Sequence, residues 1–218
     1  MSIPGLALDA KPGHFFTSSA RRCYNTTRRR QNKCTILCCR HEPLTCGRGI
    51  GGLIVIGIDP GLAATGYGVV RKTGNEFECL DYGCVTTKPG EETSARLRIL
   101  HEAIAAVIDR WSPDLVVMED VFAKAAAPSA AISIGQVRGV LLLAASQRGC
   151  SVGGLAPRTV KVAVTGSGAA DKSQMERALR RALGITKEIK PDHAADALGI
   201  AYVGAMRGIP AGHKDENR

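Results

Sequence analysis

A handful of side chains in this sequence have the types and spacing for divalent-metal chemistry. Asp59 closes a short apolar run, LIVIGID (53–59), and Glu119 lies at the end of a second, DLVVMED (114–120). Far along the chain, Asp192, His193 and Asp196 follow Pro191 at the start of a helix-patterned segment. The i, i+3 and i, i+4 spacings put Asp196 on one helix face with His193 and with Asp192. Pro191 places all three near the helix N-terminus, where the dipole favours negative charge. Singly, a strand-end Asp before Pro-Gly is a turn former, and an acid in a first helical turn is a cap. Together they form an oxygen-rich donor set of the kind Mg²⁺ takes beside waters and substrate phosphates. Charges there are costly to bury unless paired or metal-bound. Two such ions about 3.5–4 Å apart can clamp the attacking and leaving oxygens of a phosphodiester.

Bringing these groups together requires strands that end side by side and a helix that crosses them. LIVIGID is β-branched and ends in a Pro-Gly turn. GYGVVRK (66–72) and EFECLDYGCVTT (76–87) read as two more strands joined by a hairpin turn at Thr73–Asn75. Residues 93–111 carry Leu97, Leu100, Ile104, Val107, Ile108 and Trp111 at three- and four-residue spacing, an amphipathic helix stopped by Ser112–Pro113. A strand over 114–120 follows, then a long helix over about 128–148 and a strand over 150–156. A short basic helix near 158–164, a Gly/Ala loop, a helix over 171–183 and a last helix opened by Pro191 complete the order. Gly135 and Gly139 lie on one face of the long helix, as tolerated glycines or as a close-packing face for another helix or a second copy. The order β-β-β-α-β-α-β-α-α implies an α/β fold, a mixed five-stranded sheet with helices on both faces. Ligand sites in such sheets form at the C-terminal strand edge.

The 218 residues fit one domain or two small ones, and 44% hydrophobic with 22% charged residues is ordinary globular composition. No uncharged apolar stretch of about 18 residues is present, so no membrane partner is expected. The net charge of +9 is uneven: residues 1–52 hold nine Lys/Arg and two Asp/Glu, residues 53–218 twenty and eighteen. The body must therefore meet a polyanion through a local patch. Residues 1–52 read as a basic, Cys-containing, disordered extension. Their Arg-rich, acid-poor composition is also that of an organellar transit peptide. A zinc site from Cys34, Cys38, Cys39, His41 and Cys46 is a third reading, against which the non-standard spacings tell. The dispersed Cys79, Cys84 and Cys150 suit a reducing compartment, and the tail from 208 reads as flexible.

VIGIDPGLAATGYGVV (55–70), VVMEDVFA (116–123), GQVRG (135–139), the stretch from Arg158 to Met175 and PDHAADALGIA (191–201) occur in this order. Over about residues 53–207 they resemble the RuvC family of bacterial Holliday-junction resolvases. The resemblance implies an RNase H-like fold and a cytoplasmic homodimer acting in homologous recombination and DNA repair. It implies symmetric cuts in two like-polarity strands of a four-way DNA junction, with two Mg²⁺ per subunit, or Mn²⁺ in their place. Attack of a metal-activated water would leave 5′-phosphate and 3′-hydroxyl ends. The family's acidic set falls on Asp59, Glu119 and Asp196, and its fourth position on His193, where many members carry Asp. Imidazole must be neutral to bind metal, so activity should fall in mild acid. Alternatively His193 transfers protons, or Asp192 takes its place. Lys161 and Lys172 match family lysines placed near the scissile phosphate. They belong to a dense basic stretch with Arg158, Arg177, Arg180 and Arg181 that would bind DNA phosphates. Phe122 matches a wedge that stacks on an unpaired junction base, with Lys124 beside it. RuvA and RuvB are the implied branch-migration partners. Two other readings compete: a YqgF-type RNase H-like nuclease acting on RNA, and an inactive branched-DNA-binding module. The intact acids weigh against the module.

Overall fold

β-Branched and apolar runs form the middle of a mixed sheet whose strand order is β1-β4-β3-β2-β5-β6. The computed structural model describes residues 36–38, 52–120 and 128–208. β2 (Leu53–Asp59), β3 (Ala64–Thr73) and β4 (Glu76–Thr86) form an antiparallel meander, and β5 (Leu115–Glu119) and β6 (Ser151–Leu155) continue the sheet in parallel from β2. The β3–β4 turn contains Gly74 at φ +60°, a conformation open to glycine at no steric cost. These are the five strands the body leads one to expect. A sixth, β1 (Ile36–Cys38), pairs antiparallel with β4 at Gly83–Val85. At three residues it is too short to leave a periodic signal.

Two helical layers cover the sheet. α1 (Thr93–Trp111) and α2 (Pro128–Ser146) pack on the face formed by Ile54, Ile56, Ile58, Val69, Val116 and Met118. α3 (Pro157–Thr165), α4 (Lys172–Ala182) and α5 (Asp192–Arg207) cover the other face. α1 ends where Ser112 turns left-handed, at φ 45°. Its last residue is tied to the sheet, since Trp111 Nε1 donates to the buried Asp81 carboxylate at 3.1 Å. Asp171 caps α4 with a reciprocal Gln174 contact, the S/T/D-x-x-Q box written in the sequence. Arg148 closes the α2 end onto α1 with a two-pronged pair to Asp109 at 2.7 and 2.9 Å.

α2 buries Val137, Leu141 and Ala145 but leaves Ile132 64% and Leu143 51% exposed, with Gly135 and Gly139 between them. A Cβ at either glycine would meet nothing within 4 Å, so these glycines pack on no other part of the chain described. By length and apolarity alone Ser129–Ser146 could reach across a bilayer. Its buried stripe lies in the core, however, and Arg138 near its middle is bonded to the end of β5.

Candidate active site

Strand alternation decides which way the strand-end acids face. Ile54, Ile56 and Ile58 enter the core under α1 and α2, while Val55 enters the core under α5. Asp59 is in phase with Val55 and therefore lies on the α5 side. In β5, Leu115 and Val117 belong to the α5 side and Val116 and Met118 to the other, which puts Glu119 with Asp59. β2 and β5 are parallel and in register through Ile58 and Met118, so Asp59 and Glu119 are the next residues along neighbouring strands.

α5 brings the remaining groups, and it comes close because it meets glycine. A Cβ at Gly57 would stand 2.2 Å from the Ala197 carbonyl oxygen. At Gly66 it would stand 1.9 Å from the His193 carbonyl oxygen, and at Gly68 2.5 Å from the Leu198 Cα. Backbone thus lies on backbone, and the first turn of α5 overhangs the end of β2. His193 Nδ1 reaches Asp59 Oδ2 at 2.7 Å. With Nδ1–H donating to the carboxylate, a neutral ring keeps its lone pair on Nε2, free for a metal or a proton.

The electrostatics carry the mark of crowding. Burial raises the Asp196 carboxyl above its ordinary value, and the Asp59 charge raises it further, with Lys172 and His193 acting in the opposite direction. Asp192 is exposed and accepts a hydrogen bond from Lys172 Nζ at 2.9 Å, which holds its carboxyl below the usual range. Lys172 is raised in turn, first by Asp192 and also by the charges of Asp196 and Asp59. The same field reaches the buried Cys84 thiol, raised by burial first and by Asp59 second.

Among the described residues, no three His, Cys, Asp or Glu side chains are gathered into a ready-made metal cage. Mg²⁺ does not demand one, because it binds through one or two carboxylates and completes its shell with waters and phosphate oxygens. The donor chemistry fits a divalent cation: carboxylates and an imidazole at one strand edge, with burial and the Asp59 charge both raising the cost of ionised Asp196.

The sequence match falls on this same region. A family model described as Crossover junction endodeoxyribonuclease RuvC matches residues 55–203. The chain belongs to the RuvC family. A RuvC from Treponema denticola is 43% identical over 148 residues, covering 67% of this chain and 82% of that protein. Thermus thermophilus RuvC superposes with a TM-score of 0.64 at 33% identity, over 72% of this chain and 97% of its own. The same protein in complex with Holliday junction substrate gives 0.67, over 72% and 94%. The RNase H-like reading of the fold stands with these neighbours, and RuvC-family nucleases are metal-dependent.

Other expected RuvC-type contacts are placed less uniformly. Lys161 Nζ donates to the Ala170 carbonyl at 3.0 Å, so its ammonium ties α3 to the residues just ahead of the α4 cap. Arg180 is also engaged, bonding the Ile185 and Thr186 carbonyls past the end of its own helix. Arg158, Arg177 and Arg181 stand exposed. Arg177 and Arg181 line a surface hollow with Thr165, Ser167 and Gln174. Phe122 and Lys124 lie outside the described residues. The glycine floor under α5 was missed in the sequence, although Gly57, Gly66 and Gly68 in strand-like runs were a signal for close backbone approach. Arg138 was missed too, hidden inside the quoted GQVRG.

Proposed function

We propose that the edge formed by Asp59, Glu119, His193 and Asp196 is the cutting site of this RuvC-family protein. The chain is a crossover junction endodeoxyribonuclease, a resolvase of four-way (Holliday) DNA junctions. The observation that carries the site is the contact of His193 with Asp59 at the first turn of α5, which also brings Asp196 to this edge, while Lys172 at the start of α4 lies close enough to feel the charges of both acids.

Asp59, Glu119 and Asp196 would hold Mg²⁺, or Mn²⁺ in its place, with His193 Nε2 as the fourth donor. When bound, the divalent cation stabilises charge developing on the phosphate and lowers the pKa of the attacking water. The chain's own groups do the rest. Asp59 orients the His193 ring through Nδ1, leaving Nε2 to bind or to accept a proton. Lys172, held by Asp192, presents a cation beside the acids where a phosphate oxygen gathers charge. Further along α4, Arg177 and Arg181 stand one turn apart on a face that lines the hollow with Ser167 and Gln174, where they would meet phosphates beyond the site. Two features support a homodimer: paired cuts need two sites, and α2 leaves an apolar stripe exposed with glycines along it. RuvA and RuvB remain the proposed partners that would deliver the junction.

The test is cleavage of a synthetic four-way junction against linear duplex and an RNA-containing hybrid, with Mg²⁺ or Mn²⁺ and with chelator. Metal-dependent paired cutting of the junction alone is expected. Preference for the RNA substrate would favour the YqgF-type reading, and binding without cutting would favour the inactive module.

A further inference from the structure

Glu119 and Asp120 are adjacent carboxylates sent to opposite faces of the sheet. Glu119 shares the α5 face with Asp59, whereas Asp120 is met by Arg138 from α2 on the other side. The Arg138 guanidinium makes two bonds there. One nitrogen donates to the Glu119 backbone carbonyl, and Nη2 donates to Asp120 Oδ1 at 3.0 Å. The Asp120 carboxylate in turn lies on Gly154 of β6, where an added Cβ would come within 2.2 Å of Oδ1. Backbone pairing completes the hold, for Asp120 N donates to the Leu155 carbonyl at 2.9 Å and Glu119 is in register with Leu155. Both partners are about three-quarters buried, at 23% and 25% side-chain exposure, so water competes weakly for the fork.

We infer that Arg138 is a positioning residue for the cutting reaction: its fork on the Glu119 carbonyl and Asp120 fixes the strand end from which Glu119 reaches the metal. The inference rests on the reading of Glu119 as a ligand. The clamp does two things. It sets the backbone of the ligating residue, whose displacement by even an ångström is costly for a reacting geometry. It also pairs the Asp120 charge on the far side of the sheet. Arg138 further joins the two elements that flank residues 121–127, since β5 and α2 lie on either side of that connection. A lysine cannot copy the arrangement, because one ammonium lacks the planar two-pronged reach.

The experiment compares wild type with Arg138→Gln, Arg138→Lys and Asp120→Asn. It reads Mn²⁺ binding to the free protein by calorimetry, junction binding in chelator, and single-turnover cleavage across a metal titration. Loss of a group that orients a ligand typically costs about 10- to 100-fold in metal affinity or activity. Arg138→Gln should therefore weaken Mn²⁺ binding and slow cleavage within that range while junction binding in chelator stays within about twofold. Arg138→Lys should recover part of the loss, and Asp120→Asn should show a smaller loss of the same kind. Arg138→Gln with unchanged Mn²⁺ affinity, or with junction binding lost in step with cleavage, would overturn the inference and make Arg138 a DNA contact or a bystander. Should Arg138→Gln fail to fold, Asp120→Asn carries the same decision, since it removes the charge that holds one prong and keeps the cation. Wild type that binds Mn²⁺ yet cuts no junction would sink the nuclease reading instead, with the metal-binding comparison still deciding the clamp.

Discussion

At the scale of single residues, the site holds more negative charge than it can comfortably keep without a counter-ion. Asp196 shows this most clearly, its carboxyl raised first by burial and then by Asp59. A carboxyl raised in the fold contributes stability below the unfolded carboxylate range and loses that contribution as pH climbs through the raised value. Ionised Asp196 is thus a cost to the metal-free protein near neutrality. Asp196→Asn should raise the melting temperature at pH 7 in chelator, and its advantage should shrink as the pH is lowered towards 4. Added Mg²⁺ should stabilise wild type and leave the variant unmoved; a variant no more stable than wild type in chelator at pH 7 would contradict the crowding. Asp59→Asn should abolish cutting and spare junction binding, and equal loss of both would make Asp59 structural. His193→Ala and Asp192→Asn separate the two candidates for the fourth position. His193 touches Asp59, whereas Asp192 is exposed and paired to Lys172. Cleavage rates should fall steeply for the first and no more than several-fold for the second; the reverse order would transfer the role to Asp192.

At the scale of elements, what could be seen in the sequence was whatever a local pattern encodes. Leu100, Ile104 and Ile108 announced α1, and all three are buried. The unbroken apolar runs LIVIGID and LVVME announced two buried strands, each ending in an acid. Three kinds of feature escaped. β1 is too short to have a period. The Arg138 fork joins residues 18 and 19 apart through a backbone carbonyl, which no side-chain pattern records. Lys161, which the family resemblance sets near the scissile phosphate, also donates to the Ala170 carbonyl, another contact to backbone that no side-chain pattern records. The seating of α5 is the most consequential of the unseen features, because it depends on what Gly57, Gly66 and Gly68 lack. Gly66→Ala should destabilise the protein by about 1–3 kcal/mol, the usual cost of overpacking. It should also slow cleavage beyond what lost stability explains, since the clash falls on the His193 carbonyl itself. Chemical denaturation with parallel rate measurements on the folded fraction checks both; a Gly66→Ala enzyme cutting at the wild-type rate would show that α5 can lift without consequence.

At the scale of the whole molecule, the two helical layers have separate duties. The α3–α5 side carries the acids and the exposed arginines of α4, and the α1–α2 side supplies the core behind them. α2 faces both inward and outward with apolar groups, Ile132 and Leu143 being its exposed ones. Leu143→Asp or Ile132→Asp should leave the single-chain fold intact and shift the proposed dimer to monomer in sedimentation. A variant that stays dimeric would move the interface elsewhere. Junction affinity should drop steeply with salt, because each phosphate neutralised releases counter-ion. Arg177→Ala should flatten that slope by about one unit without changing the metal requirement.

The seating of α5 on bare glycine has one more consequence, visible in time rather than in space. Where Ala197, Leu198 and Ala201 meet β2 and β3, their amides are shielded by main chain seated on Gly57 and Gly68, with no side chain between able to swing aside. In deuterated water they should be among the last to exchange, opening only when the whole domain unfolds. His193 and Asp196 stand at the mouth of that same segment, so the cutting edge would inherit the stiffness of the slowest-breathing part of the protein.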